Sequence, residues 1–120
     1  MKHELAHLHE EWLNGTLIVR IEGEIDASNV FVIGARLRSL LTNRAIAMVL
    51  DLSATTYLDS AGLNLLFALA EEMRAHQQRF VLVAGEASPV RRVIDLTGVG
   101  GVAPMHASMD EAVSVICEPS

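Results

Sequence analysis

The sequence predicts an α/β domain built on a mostly parallel sheet. Two largely apolar runs of strand length, Ala45–Leu50 and Arg79–Ala84, are typical of strands that are covered on both faces. Elsewhere, apolar residues recur at three- and four-residue steps, which is the period of an amphipathic helix. The resulting order is β-β-α-β-α-β-α-β-α, and this alternation implies parallel strands joined by right-handed crossovers. We expect four to five strands and about four helices, with the first strand as an antiparallel edge.

The N-terminal part of the chain predicts a hairpin. Leu5–Trp12 alternates weakly between apolar and polar residues, whereas Thr16–Glu22 alternates clearly. The Asn14-Gly15 pair between them is a strong signal for a two-residue turn. The first two strands are therefore expected to pair antiparallel.

The first helix and the third strand come next. Gly23–Asp26 leaves the second strand, and Asp26 is a candidate N-cap for the helix. The apolar positions of this helix are Val30, Ile33, Gly34, Leu37 and Leu41. Ala45–Leu50 then forms the third strand, which Asp51 and Ser53 end because short polar side chains favour turns.

A polar connection leads to the second helix, which is predicted from about Ser60 to Ala75. Its apolar positions are Leu63, Leu66, Phe67, Ala70 and Met73. Arg79–Ala84 is the fourth strand, again largely apolar. Because the carboxyl ends of parallel strands form the usual binding edge of such sheets, the start of the second helix is the place to look for a site.

The last third of the chain carries clear helix signals. Ser88 is a predicted N-cap with a proline in the first helical position, and Gly98 is the matching C-terminal cap. Val102–Met105 is predicted as a short last strand. Ser108–Glu111 has the spacing of a capping box and starts a final helix that runs to about Cys117.

Size and charge exclude several classes of function. At 120 residues the chain is expected to be one domain spanning residues 1–120, with a core from about Leu5 to Ile116. The formal charge of −6 and the few aromatic residues argue against nucleic-acid binding. No apolar run reaches the length of a membrane span, and Met1–Glu4 opens no apolar signal segment. We expect a cytoplasmic protein without direct membrane insertion. Cys117 is the only cysteine, so no internal disulfide can form.

Ser60 is the sharpest functional candidate, and its local pattern allows two interpretations. Its hydroxyl can cap the second helix by accepting a backbone N–H bond, which is the common role of a serine before an apolar helical run. Alternatively, Ser60 is a phosphorylation site, because a helix N-terminus stabilises added negative charge. A phosphate would add about −1.5 to −2 charge beside Asp59 and near Asp26. Its effect would then fall on a partner and not on the fold.

Several motifs, in this order and spacing, resemble the STAS domain, which is named for sulfate transporters and anti-sigma factor antagonists. They are Gly23-Glu24-Ile25-Asp26, Val49-Leu50-Asp51-Leu52-Ser53, Tyr57-Leu58-Asp59-Ser60-Ala61-Gly62-Leu63, Ser88-Pro89-Val90-Arg91-Arg92-Val93-Ile94 and Leu96-Thr97-Gly98. The resemblance covers nearly the whole chain and implies a single STAS-type domain.

The resemblance also implies a mechanism. In stand-alone bacterial members, an anti-sigma factor that is also a serine kinase phosphorylates the serine of the Asp-Ser pair. The unphosphorylated antagonist binds that kinase and frees the sigma factor, and a serine phosphatase resets the cycle. Carried over by position, the resemblance implies Ser60 as the phosphorylated residue, Asp59 as its motif neighbour and Asp26 as the nearby acidic residue. Ala61 stands where many antagonists have a second Ser or Thr, which leaves Ser60 as the only hydroxyl of the motif.

The second helix offers a candidate partner-binding face next to Ser60. Ala61, Asn64 and Ala68 are small or neutral and would let a kinase approach closely. Leu65 extends the apolar arc of the helix, and it is either part of this face or buried against a neighbouring helix.

Two other classes of function stay open. The chain could be an unswitched STAS scaffold, or an accessory subunit of a stress-signalling or lipid-transport complex. A small enzyme with Ser60 as nucleophile would need a base nearby, and residues 58–62 lack the first glycine of a G-x-S-x-G elbow. We expect no catalysis, no cofactor and no metal, since His3, His7 and His9 lack further ligands at metal-binding spacing.

Overall fold

The computed structural model describes residues 6–42 and 44–117, and only the backbone of Cys117. Leu5, His3 and the Cys117 side chain, which entered the predictions above, lie outside the described residues. Within these ranges the chain forms six strands, four helices and one 3-10 turn. The strands are β1 (Ala6–Leu13), β2 (Thr16–Ile25), β3 (Ala47–Asp51), β4 (Thr55–Leu58), β5 (Arg79–Val83) and β6 (Met105–His106). The helices are α1 (Val30–Leu40), α2 (Ser60–Ala75), α3 (Pro89–Thr97) and α4 (Met109–Cys117), and Val99–Gly101 is the 3-10 turn.

The sheet has the order β1-β2-β3-β5-β6, and β4 pairs with β2 outside this path. β1 pairs antiparallel with β2, and the remaining pairs are parallel. The predicted fold class is therefore confirmed, including the antiparallel first strand. The predicted turn is also confirmed, because Asn14 and Gly15 both have positive φ, at 50° and 84°, between the paired ends Leu13 and Thr16.

The pairing of β4 with β2 corrects the predicted boundaries. β2 continues three residues beyond Glu22, past a register shift at Gly23, to Ile25. Thr55–Leu58, predicted as part of a polar connection, pairs with that extension as an additional strand. The Thr55 hydroxyl donates to the Ile21 carbonyl oxygen at 2.7 Å, which fixes the start of β4. As a consequence, the chain enters α2 directly beside the end of β2.

Two apolar clusters enclose the sheet. The larger cluster joins one face of the sheet to side chains of α1, α2 and α3, including Leu37, Leu66 and Ile94. The smaller one joins the other face to α4 through Ala112 and Ile116. Three helices therefore cover one face and one helix covers the other, as expected for strands that are apolar on both sides.

The predicted N-caps are confirmed at α3 and α4 and are wrong at α1 and α2. Ser88 Oγ accepts the Val90 N–H at 3.3 Å, and Ser108 Oγ accepts the Glu111 N–H at 3.2 Å, as predicted. The prediction of Asp26 as the N-cap of α1 is wrong, because β2 runs to Ile25 and the helix begins at Val30, with Asn29 in the cap position. The Asp26 carboxylate instead accepts the Ser28 N–H and hydroxyl, at 2.9 and 2.6 Å, in the turn before the helix.

Candidate functional site

The N-terminus of α2 is capped by Asp59, so the sequence interpretation of Ser60 as the cap is wrong. Asp59 has extended backbone angles, and its Oδ1 accepts the Gly62 N–H at 3.0 Å. Ser60 is the first residue of the helix proper. Both residues suit a helix start, and the aspartate occupies the cap because β4 ends one residue before it, at Leu58.

The Ser60 side chain is exposed, and its hydroxyl makes no hydrogen bond within the described residues. Its position in the first turn of α2 places it next to backbone N–H groups that have no partner inside the helix. These groups and the helix dipole favour negative charge at this point. The site is therefore electrostatically suited to carry an added phosphate.

Asp59 also ties the start of α2 to the loop between β2 and α1. Its Oδ2 accepts the Ala27 N–H at 3.1 Å, and its own N–H donates to the Ile25 carbonyl oxygen at 3.3 Å. The sequence predicted that Asp26 and Asp59 lie close to Ser60. The structure brings these residues together at the carboxyl edge of the sheet, since Asp26 lies between the two residues that bond Asp59.

Gly62 holds α2 close to the sheet, a role that the sequence analysis did not assign. A Cβ at this position would collide with the Leu58 side chain and would lie 3.1 Å from Ile25 Cγ2 and 3.2 Å from the Ile25 carbonyl oxygen. A larger residue would therefore require the Leu58 side chain to move and Ile25 or the helix to give way by a few tenths of an ångström. A small residue three positions after the helix cap was the available signal.

The predicted partner-binding residues divide by exposure. Asn64 is exposed, and Ala61 and Ala68 are half-buried. Leu65 is 8 % exposed and belongs to the larger core cluster. It packs against α1 at Gly34, where a Cβ would lie 3.0 Å from Leu65 Cδ1. Of the two interpretations offered for Leu65, the structure places its side chain in the core.

The far end of the α1–α2 contact is an ion pair. Arg38 Nε and Nη2 each donate to the Glu72 carboxylate at 2.8 Å. The hydrogen bonds from Arg38 hold the pKa of Glu72 below its ordinary value, and the bond to Glu72 raises the pKa of Arg38. The two charges compensate each other, so this part of the α1–α2 surface presents no unpaired charge.

Histidines in the described part of the chain have other neighbours than Ser60. His9 Nε2 lies 3.1 Å from Glu22 Oε1, His76 Nδ1 lies 2.8 Å from the Glu72 carbonyl oxygen, and His106 Nδ1 lies 3.7 Å from Glu111. Among the same residues, no group of three or more His, Cys, Asp or Glu side chains is arranged to hold a metal ion. None of the helices described has the length and apolarity needed to cross a bilayer.

Comparisons with known proteins agree on the family. The STAS domain model matches residues 11–112. The anti-sigma-F factor antagonist RsfB of Mycobacterium tuberculosis is 30% identical over 101 residues, which cover 84% of this chain and 81% of that protein. The putative anti-sigma factor antagonist BtrV of Bordetella bronchiseptica is 29% identical over 103 residues, covering 85% and 87% of the two chains. An anti-sigma factor antagonist from Mycobacterium paratuberculosis has a similar crystal structure, with a TM-score of 0.84, 28% identity and coverage of 94% and 95%.

Proposed function

This chain belongs to the STAS domain family, and we propose that it is an anti-sigma factor antagonist that is switched off by phosphorylation of Ser60. In its unphosphorylated state it binds an anti-sigma factor with serine kinase activity, which then releases its sigma factor. The bound kinase phosphorylates Ser60, and the complex dissociates. A serine phosphatase restores the binding state. The chain acts as a binding module in the cytoplasm and performs no catalysis of its own.

The observation that carries this proposal is the separation of two roles at the start of α2. Asp59 supplies the capping bond to the Gly62 N–H, while the neighbouring Ser60 hydroxyl is exposed and free of protein hydrogen bonds in the described structure. A kinase can therefore modify Ser60 without removing the bond that starts the helix. A serine that served as the cap would lose that function on phosphorylation.

The charges around Ser60 explain why a phosphate would act on the partner. Added negative charge in the first turn of α2 is compatible with the helix dipole, so the fold is retained. On the surface, the phosphate would join the carboxylates of Asp26 and Asp59, and it would border the small or neutral residues Ala61 and Asn64. A partner surface shaped for the neutral hydroxyl would be repelled by the charge and would lose contact.

A comparison of four immobilised proteins tests the proposal. The baits are the wild type, Ser60→Ala, Ser60→Asp and, as a control for added charge, Ser114→Asp on the exposed side of α4. We expect an ATP-binding serine kinase to be retained by the wild type, Ser60→Ala and Ser114→Asp, and to be lost from Ser60→Asp. The same set of partners on all four baits would support an unswitched scaffold instead.

A further inference from the structure

Phe31 has the most exposed large apolar side chain among the described residues. It is 86 % exposed, on the second residue of α1, and Val32 beside it is also exposed. Phenylalanine rings are normally among the larger contributors to a core, and exposed rings concentrate at protein interfaces. Phe31 also lies near Ser60, which makes the exposed ring a candidate part of a binding surface.

The contacts between α1 and α2 fix that position. Both helices start at the carboxyl edge of the sheet and run in the same direction, with Gly34 against Leu65 and Arg38 bonded to Glu72. Phe31 lies two turns before Arg38 on the same side of α1, because residues seven apart share a helix face. It is therefore level with residues 62–65 of α2. Ser60 lies within about one turn of that level.

We infer that Phe31 is an apolar anchor of the surface to which the Ser60 kinase docks, an inference that rests on the proposed function. Packed helices lie about 8–10 Å apart, so Phe31 is roughly one helix diameter from Ser60. A stable interface covers about 800 Å² of each partner, which corresponds to a radius of about 16 Å. An interface of this size that is centred on Ser60 therefore extends over Phe31.

The surface between Phe31 and Ser60 determines what kind of partner surface fits. The carboxylates of Asp26 and Asp59 border it beside Ser60, and Arg38 and Glu72 at its far end are bonded to each other. Between these charges the side chains are small or uncharged. The members of this strip, hereafter the α1–α2 strip, are Phe31, Ala35, Ala61, Asn64 and Ala68. Such a strip matches an apolar recess on the kinase and not a charged one. In protein interfaces a few well-buried residues near the centre dominate the binding energy, and aromatic side chains are enriched among them.

The test measures binding and phosphorylation with the purified serine kinase that the wild-type chain captures, in the presence of ATP or ADP. Phe31→Ala and Phe31→Glu are compared with Ile46→Ala, which removes an exposed apolar side chain (58 %) at the opposite end of the sheet. We expect both Phe31 variants to raise the Kd by about tenfold or more, with a matching fall in kcat/KM for Ser60 phosphorylation. The Ile46 variant should stay within about twofold of the wild type. Thermal unfolding of each variant verifies the fold.

The outcomes separate this inference from the proposed function. Normal binding and phosphorylation of both Phe31 variants would overturn the docking role of Phe31 and leave the switch at Ser60 intact. Failure of the kinase to phosphorylate wild-type Ser60 would overturn the proposed function and the inference with it. A concentration-dependent dimer of the free wild type that Phe31→Glu dissociates would also overturn the inference, because the ring would then be covered by a second copy of this chain.

Discussion

Asp59 Oδ2 accepts the Ala27 N–H at 3.1 Å, and this bond joins the loop after β2 to the start of α2. The other carboxylate oxygen caps α2 through the Gly62 N–H. One side chain therefore fixes both segments that border Ser60. The serine hydroxyl makes none of these bonds and is therefore accessible for phosphorylation.

The two residues of the Asp59-Ser60 pair should differ sharply in their effect on stability. Asp59→Ala removes the cap and the link to Ala27, so we expect a loss of about 1–2 kcal/mol in the free energy of unfolding. Ser60→Ala removes no bond found in the structure and should change stability by less than about 0.5 kcal/mol. Urea denaturation measures both values. A larger loss for Ser60→Ala than for Asp59→Ala would restore the serine as the cap.

A side chain at Gly62 should destabilise the fold. Gly62→Ala forces a methyl group against Leu58 and Ile25, and overpacking of this kind costs about 1–3 kcal/mol. Gly100→Ala is the matched control, because a Cβ there has no atom within 4 Å and its φ is not positive. Thermal unfolding should show a lower Tm for the Gly62 variant only. An equal fall in Tm for both variants would mean that α2 does not pack as closely against Leu58 and Ile25 at Gly62 as the structure shows.

The elements that could be predicted from the sequence are those whose signals lie in neighbouring residues. The Asn14-Gly15 turn, the Ser88 cap and the extent of α2 all depend on residues that lie within a few positions of one another. β4 was missed because its four residues have no apolar run, and they form a strand only by pairing with Gly23–Ile25, more than 30 positions earlier. Such long-range pairing is invisible to periodicity.

The candidate site was only partly predicted, because it too depends on long-range strand pairing. The sequence indicated Ser60 and the proximity of Asp26 and Asp59, but local pattern could not decide which polar residue caps α1 and which caps α2. That choice depends on where β2 and β4 end, which the pairing of these strands determines. Phe31 was not singled out, because its exposure follows from the rotation of α1 against the sheet.

Substitutions of Leu65 and Asn64, which are adjacent in α2, should have different effects: the first on stability and the second on partner binding. Leu65→Ala empties a buried site and should cost about 2–4 kcal/mol of stability. Asn64→Ala changes an exposed side chain and should leave stability within about 0.5 kcal/mol while weakening binding to the kinase. The pair is checked by urea denaturation and by titration of the kinase. Unchanged stability of Leu65→Ala would move Leu65 back to the exposed partner-binding face.

The Arg38–Glu72 pair should contribute a small, pH-dependent stabilisation. Because the pKa of Glu72 is lowered in the folded state by the hydrogen bonds from Arg38, the contribution is full above the ordinary glutamate value of 4.5 and is lost as the pH falls through the folded value. Both side chains are nearly half exposed, so solvent screening limits the effect to about 0.5 kcal/mol or less.

The check on this pair compares Tm values of the wild type and Glu72→Gln across pH and salt. The difference between them should be largest near neutral pH at low salt and should vanish at acidic pH. A difference that grows on acidification would contradict the assigned direction of the pKa shift.

The phosphorylation switch at Ser60 is tested by titrating the captured serine kinase, with ADP bound, against this chain before and after stoichiometric phosphorylation. Mass spectrometry of the modified chain identifies the phosphorylated residue. We predict a single phosphate on Ser60 and a Kd that rises about a hundredfold, equivalent to about 2.7 kcal/mol. A phosphate on Ser60 that leaves the Kd within twofold, or a phosphate on another residue with Ser60 unmodified, would rule out the switch at Ser60.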